Sequence, residues 1–268
     1  MDQVILAFEC HPEEVALCVP ASILELFELP VLFGVVNRTV VYILLAALVV
    51  MAVLYFAYRK PRVVPTRFGV AVESLVRFVK EDIAIGVIGP GGEKYAPYLL
   101  SLFLFILVGN FFGLTPFINF PLGSRMAIPL FLALLTWVIF VFMGIKKQGL
   151  GYIGHLLWPP GVPVALKPLI GIIEFVSTII VRPFSLAVRL FANLVAGHTM
   201  LALLLGTAIV FWVNIGNIGL LKGGLVGSAW FILGMAIFVL EMLVLFLQAY
   251  IFTLLSAVYI ESSLHPAH

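Results

Sequence analysis

Apolar residues run along this chain in long blocks, and the polar positions gather between them. Val40 to Tyr58 is an unbroken apolar run of 19 residues ending on the basic edge Arg59, Lys60 and Arg62. That run is enough to cross a hydrocarbon layer of about 30 Å at about 1.5 Å per residue. The next stretch, 66–88, repeats at helical spacing. Phe68, Val72, Leu75, Val76, Val79 and Ile83 share one face, and Glu73, Arg77, Lys80 and Glu81 share the other. Such a helix is expected to lie on a membrane surface, the alternative being a helix that faces a partner. Residues 86–97 form a Gly/Pro-rich turn without the spacing of a phosphate-cradling loop. Further spans are predicted at 97–116 and 126–145, joined by a short loop carrying Arg125. A proline-rich connector over 146–167 follows, expected to lie at the interface.

The last two segments are overlong. Residues 168–213 make a nearly continuous helical pattern of 46 residues, and 227–260 one of 34. A straight helix of the first length would measure about 69 Å, roughly twice the bilayer core. It must therefore bend or tilt strongly, and Pro183 is the place to bend. The pattern predicts an all-α polytopic membrane protein forming a single membrane domain over 1–268. It has five membrane helices and one interfacial amphipathic helix, the last two helices forming a tilted antiparallel hairpin.

Composition agrees. Hydrophobic residues are 63% and charged residues only 10% of the 268, with mean hydropathy +1.21, whereas soluble proteins carry about 25% charged residues. A net charge of +2 and the lack of a basic tract with interleaved aromatics exclude nucleic acid as a partner. The first 37 residues hold six acids and no Lys or Arg, which reads as an acidic outer arm (1–39) and not as a cleaved signal peptide. Basic residues gather in two alternate loops. Arg59, Lys60, Arg62, Arg67, Arg77, Lys80 and Lys94 lie in one and Lys146, Lys147 and Lys167 in the other, against Arg125 and Lys222 in the opposite loops. The expected orientation is an outer N-terminus and a cytoplasmic C-terminus. Cys10 and Cys18 then lie on the oxidising side, as a disulfide or as two thiols. A metal site with His11 lacks further ligands nearby.

Ionisable groups inside apolar helices are costly and mark ion paths. Glu174, Arg182, Arg189, His198 and Glu241 all fall in the two overlong helices, with the amides Asn193 and Gln248, while the other spans offer only groups such as Asn110. At about 100° per residue, Arg182, Arg189 and Asn193 share a stripe and His198 faces the opposite way. Glu241 and Gln248, seven apart, share a stripe on the last helix. Setting Arg189 level with Gln248 in an antiparallel pair brings His198 opposite position 239, beside Glu241. Arg189 stays protonated at any working pH, so it can hold a carboxylate in its charged form without passing a proton on. Imidazole and carboxyl groups change protonation near neutral pH and suit a relay. The structural alternatives are an ion pair of Arg189 with Glu174 or Glu241, and a His198–Glu241 pair that only ties helices together.

The stretch Arg182-Pro-Phe-Ser-Leu-Ala-Val-Arg189-Leu-Phe-Ala-Asn193-Leu-Val-Ala-Gly-His198 resembles the signature of subunit a of the F-type ATP synthases. Leu247-Gln248-Ala-Tyr-Ile-Phe-Thr-Leu-Leu, preceded by Glu241, resembles that family's last helix, and Gly109-Asn110-Phe-Phe-Gly-Leu-Thr-Pro116 also matches. The resemblance implies a non-catalytic, cofactor-free and metal-free stator in the cell (inner) membrane. Its partners would be a rotating ring of c subunits, b-type peripheral stalk subunits and the rest of the ATP synthase. It implies two aqueous half-channels for proton flow, separated by Arg189. His198 and Glu241 would form the outer pair, Asn193 and Gln248 the amides flanking the arginine, and Glu174 an acid near the inner exit, one residue further from Arg189 than in some relatives. The coupling ion, proton or sodium, would be selected by the partner's carboxylate. The alternative is a secondary ion transporter with a midplane charged site, but no internal repeat supports it. No His-Glu-x-x-His or Gly-x-Ser-x-Gly motif supports an enzyme.

Overall fold

The computed structural model describes residues 31–33, 36–59, 66–115, 121–149, 151–158 and 166–264, and nearly all of these segments are helical. Cys10, Cys18 and the disulfide expected between them lie outside the described residues. Helix α1 is Arg38–Tyr58. Helix α2 runs over 67–88, as Arg67–Phe78, a wider π-helical stretch Val79–Ile85 and a last turn Gly86–Ile88. Then come α3 (Ala96–Phe111), α4 (Ala127–Gln148) and α5 (Gly151–Leu157). The long helices are α6 (Lys167–Val213) and α7 (Leu220–Leu264). Five of these helices are long and apolar enough to cross a membrane, and the protein is an all-α polytopic membrane protein. A two-stranded antiparallel hairpin, Val31–Phe33 with Val36–Asn37, precedes α1.

Several boundaries differ from the sequence reading for physical reasons. Helix α3 ends at Phe111 instead of 116, because the chain turns at Gly113, whose N–H bonds the Asn110 carbonyl at 3.0 Å. A β-carbon at Gly113 would meet the Pro121 ring at 2.7 Å, so the returning chain packs where a side chain would sit. Helix α7 begins at Leu220 and not at 227. Gly223 and Gly224 look like a break, yet glycines let membrane helices approach closely. A β-carbon would meet Ile215 from Gly223 at 2.8 Å, Trp212 from Gly227 at 2.6 Å and Leu205 from Gly234 at 2.6 Å. These contacts run in opposite senses along the two helices, so α6 and α7 form an antiparallel hairpin.

Pro183 shapes α6. The stretch Ser177–Val181 is π-helical, and the Arg182 N–H reaches back five residues to the Ser177 carbonyl. In that register the Thr178 carbonyl would be served by residue 183, which as proline has no N–H. The indole N–H of Trp137 on α4 donates to that carbonyl at 3.2 Å. A carbonyl freed inside a membrane helix is thus satisfied by a neighbouring helix.

Helices α3 and α4 pack against the α6–α7 hairpin, and α1 packs on α3. Leu99, Phe103, Phe140, Leu186, Leu190 and Phe252 lie at the centre of the core. Within it Tyr98 donates to the Thr136 hydroxyl at 2.7 Å, while Thr136 donates to the Leu132 carbonyl at 2.9 Å. Leu44, Leu48 and Met51 on α1 and Val138 and Phe142 on α4 are exposed, as helices that face lipid require. On α2, Val72, Val79 and Ile83 are buried while Glu73, Arg77, Lys80 and Glu81 are exposed. Phe68, expected on the covered face, is exposed in the first turn of α2.

Candidate functional site

Helices α6 and α7 carry the intramembrane charges, most of them in two groups. Arg182 donates from Nη1 to Ser262 Oγ at 3.1 Å and lies 5.4 Å from the Tyr259 ring centroid, both on α7. Asn193, eleven residues on, donates from Nδ2 to Gln248 Oε1 at 2.8 Å. Arg189 lies between these ties, half-buried, and among the described residues it has no hydrogen bond or ion pair. Neither Glu174 nor Glu241 is its partner. The stripe that contains Arg189 continues through Ala192, Asn193, Ala196 and Met200, all exposed. A permanent cation therefore sits at mid-span on a face lined mainly by small side chains.

The sequence reading sets Arg189 level with Gln248, and the side chain that bonds Gln248 is that of Asn193, one turn further along α6. Helical side chains lean toward their own N-terminus. In an antiparallel pair, Gln248 therefore reaches toward higher numbers on α6 and Asn193 reaches back to meet it. Gln248 is only 3% exposed and its Nε2 has no partner among the described residues.

The second group lies on the other side of α6. His198 and Glu241 are 8% and 6% exposed. The Glu241 carboxylate lies against Gly197, so closely that a β-carbon there would collide with both of its oxygens. Sequence reasoning passed over Gly197. Its signal was a glycine inside a helix, which costs about 1 kcal/mol against alanine and so calls for a packing reason. His198 and Glu241 share a cavity with Asn110 of α3, walled by Leu194, Leu201 and Leu245. It has about 10 Å³ of room for a water's centre, the space of about one water molecule. The Asn110 amide nitrogen is buried without a partner among the described residues, so this wall has a hydrogen-bond donor to offer. Three elements thus bring an imidazole, a carboxylate and an amide together, sealed by apolar side chains.

Glu174 stands apart, half-buried near the start of α6, with no hydrogen bond or ion pair among the described residues. The π-helical stretch between it and Arg189 takes more residues per turn, so counting 100° per residue does not place it.

The family described as "ATP synthase A chain" matches residues 40–261. The chain is similar to bacterial proteins named ATP synthase subunit a. That of Frankia alni is 38% identical over 255 residues, covering 91% of this chain and 86% of the relative. That of Gluconacetobacter diazotrophicus is 38% identical over 244 residues, covering 89% and 94%. That of a Nocardioides species is 39% identical over 249 residues, covering 91% and 87%.

Proposed function

The chain belongs to the ATP synthase A chain family, a membrane component of that complex, and on that premise we propose that it is the proton-channel stator, holding Arg189 against a rotating ring of c subunits. The observation that carries this reading is the state of Arg189: a permanent charge at mid-span, unpaired among the described residues, on an exposed stripe of small side chains. Small residues allow a neighbouring helix to come close in lipid, and a cation without a partner in its own chain is available to a partner's acid.

The chemistry follows. A ring carboxylate travels through lipid protonated, because an ionised one in hydrocarbon is costly. Facing Arg189 it is held ionised, so arrival releases its proton to one half-channel and departure needs a proton from the other. His198, Glu241 and Asn110 form the delivering cluster, with a single water completing the relay. The Asn193–Gln248 bond fixes the hairpin beside the arginine, and the Arg182 contacts with Ser262 and Tyr259 fix it on the other side. Glu174 belongs to the second half-channel. The chain itself carries out no chemistry beyond proton transfer. It works in the cell (inner) membrane with the N-terminus outside, alongside the c-ring and b-type stalk subunits.

Arg189→Ala should abolish ATP-driven acidification of inverted membrane vesicles while the complex still assembles. Near-normal pumping by an assembled Arg189→Ala complex would overturn the reading.

A further inference from the structure

At one edge of the bundle, Lys94, Lys146 and Lys147 converge on an open cavity of about 540 Å³. Lys94 opens the second span, Gly92–Phe111, and the other two lysines close the third, Ala127–Gln148. All three therefore lie where hydrocarbon gives way to water. Among the described residues no acid lines the cavity. Glu93, the neighbour of Lys94, is turned to Lys80 at 3.9 Å. Among the described residues none of the three lysines has an ion pair.

The walls continue the pattern into the membrane. Ile139 and Met143 line the same cavity two turns and one turn before the lysines of α4. The lining face of α4 is thus apolar toward the bilayer and basic at its edge. Val138, Phe142 and Ile145 beside it are exposed. Tyr95 and Tyr98 also border the cavity, placing aromatic rings at interface depth. The end of α4 is fixed to α7, because Gln148 donates from Nε2 to the Ser263 carbonyl at 2.9 Å.

We infer that this cavity binds the headgroup of an anionic phospholipid, with Lys94, Lys146 and Lys147 holding the phosphate and the apolar face of α4 taking an acyl chain. A free phosphate uses the lysines but has no use for Ile139 and Met143. A zwitterionic lipid uses the apolar wall but loses the net attraction of three cations. The inference goes beyond the stator role and does not depend on it.

The full-length chain, purified in zwitterionic detergent, is titrated with short-chain phosphatidylglycerol, with phosphatidylcholine and with inorganic phosphate, and bound lipid is counted by native mass spectrometry. Phosphatidylglycerol should bind, phosphatidylcholine should bind far more weakly, and millimolar phosphate should not displace the lipid. Each lysine near the surface contributes about fivefold, so Lys94→Gln with Lys146→Gln and Lys147→Gln should weaken binding on the order of 100-fold. The three Lys→Arg changes should preserve it, and Arg67→Gln on α2 should not alter it. Should the triple Gln chain aggregate, the single Lys147→Gln change must still show its roughly fivefold loss. Unchanged affinity in the Gln variants, equal binding of phosphatidylcholine, or displacement by phosphate would each overturn the inference.

Discussion

Replacing Gly197 by Ala adds one methyl group at the point where the Glu241 carboxylate touches α6. The built β-carbon collides with both carboxylate oxygens, whereas ordinary contact begins at 3.4 Å. The carboxylate must therefore retreat by about 1 Å, toward a cavity with room for only about one water. Overpacking of this kind costs about 1–3 kcal/mol, and the better helix propensity of alanine offsets about 1 kcal/mol of that. The net cost is small enough for the complex to assemble. Transfer geometry is less forgiving, since a misplacement of about 1 Å can slow a reaction on the order of 100-fold. Gly197→Ala is therefore expected to cut ATP-driven acidification of inverted vesicles by about 10- to 100-fold, normalised to assembled complex by immunoblot. Adding Glu241→Asp shortens the acid by one methylene, about 1.5 Å, and should restore more pumping than Glu241→Asp yields in a Gly197 background. If Gly197→Ala pumps at the normal rate, or if the two defects simply multiply, the carboxylate does not work from its seat on Gly197.

Exchanging the partners, His198→Glu with Glu241→His, should restore more pumping than either single change, each of which should lose on the order of 100-fold or more as a proton-transfer group. Multiplying defects in vesicle assays across pH would show the two residues acting independently. Trp137→Phe removes the donor to the Thr178 carbonyl and should cost about 1–3 kcal/mol, seen as a lower unfolding temperature of the full chain in detergent. An unchanged transition would mean that water or another group serves that carbonyl equally well.

The number and type of spans were legible because apolar length is a direct signal of a membrane crossing. Charge placement was legible too, since a Glu or Arg inside such a run has no ordinary reason to be there. Faces could be read wherever the helix is regular: the nine residues from Arg189 to His198 separate a half-buried cation from a buried imidazole. What failed was everything set by a neighbour. Gly223 and Gly224 are continuous helix because Ile215 packs against that turn. Gly113 ends α3 because Pro121 returns onto it. The partner of Gln248 depended on side-chain lean, which a count of levels omits. The contact between Trp137 and Thr178 spans two helices and a change of helical register, and no local pattern announces it.

Two tasks on one helix need two faces, and the reason lies in the sign of the charge. A unit charge about 4 Å from Arg189 interacts with it by about 4 kcal/mol at an effective dielectric constant of 20. For a bare proton that energy is repulsive and lowers its occupancy there about 1,000-fold, by the same arithmetic. For a ring carboxylate it is attractive by a similar amount. On the proposed reading, the same guanidinium therefore closes the direct path along α6 and draws in the carrier that goes around it. This works only if the titrating pair stays out of contact with the arginine, because a neighbouring Glu241 would neutralise it. His198 lies about 13 Å further along α6 and on the opposite face, with Glu241 held against Gly197. On the proposed reading, the seat on Gly197 positions an acid for the relay and also keeps that acid from becoming the counter-ion that would disable the gate.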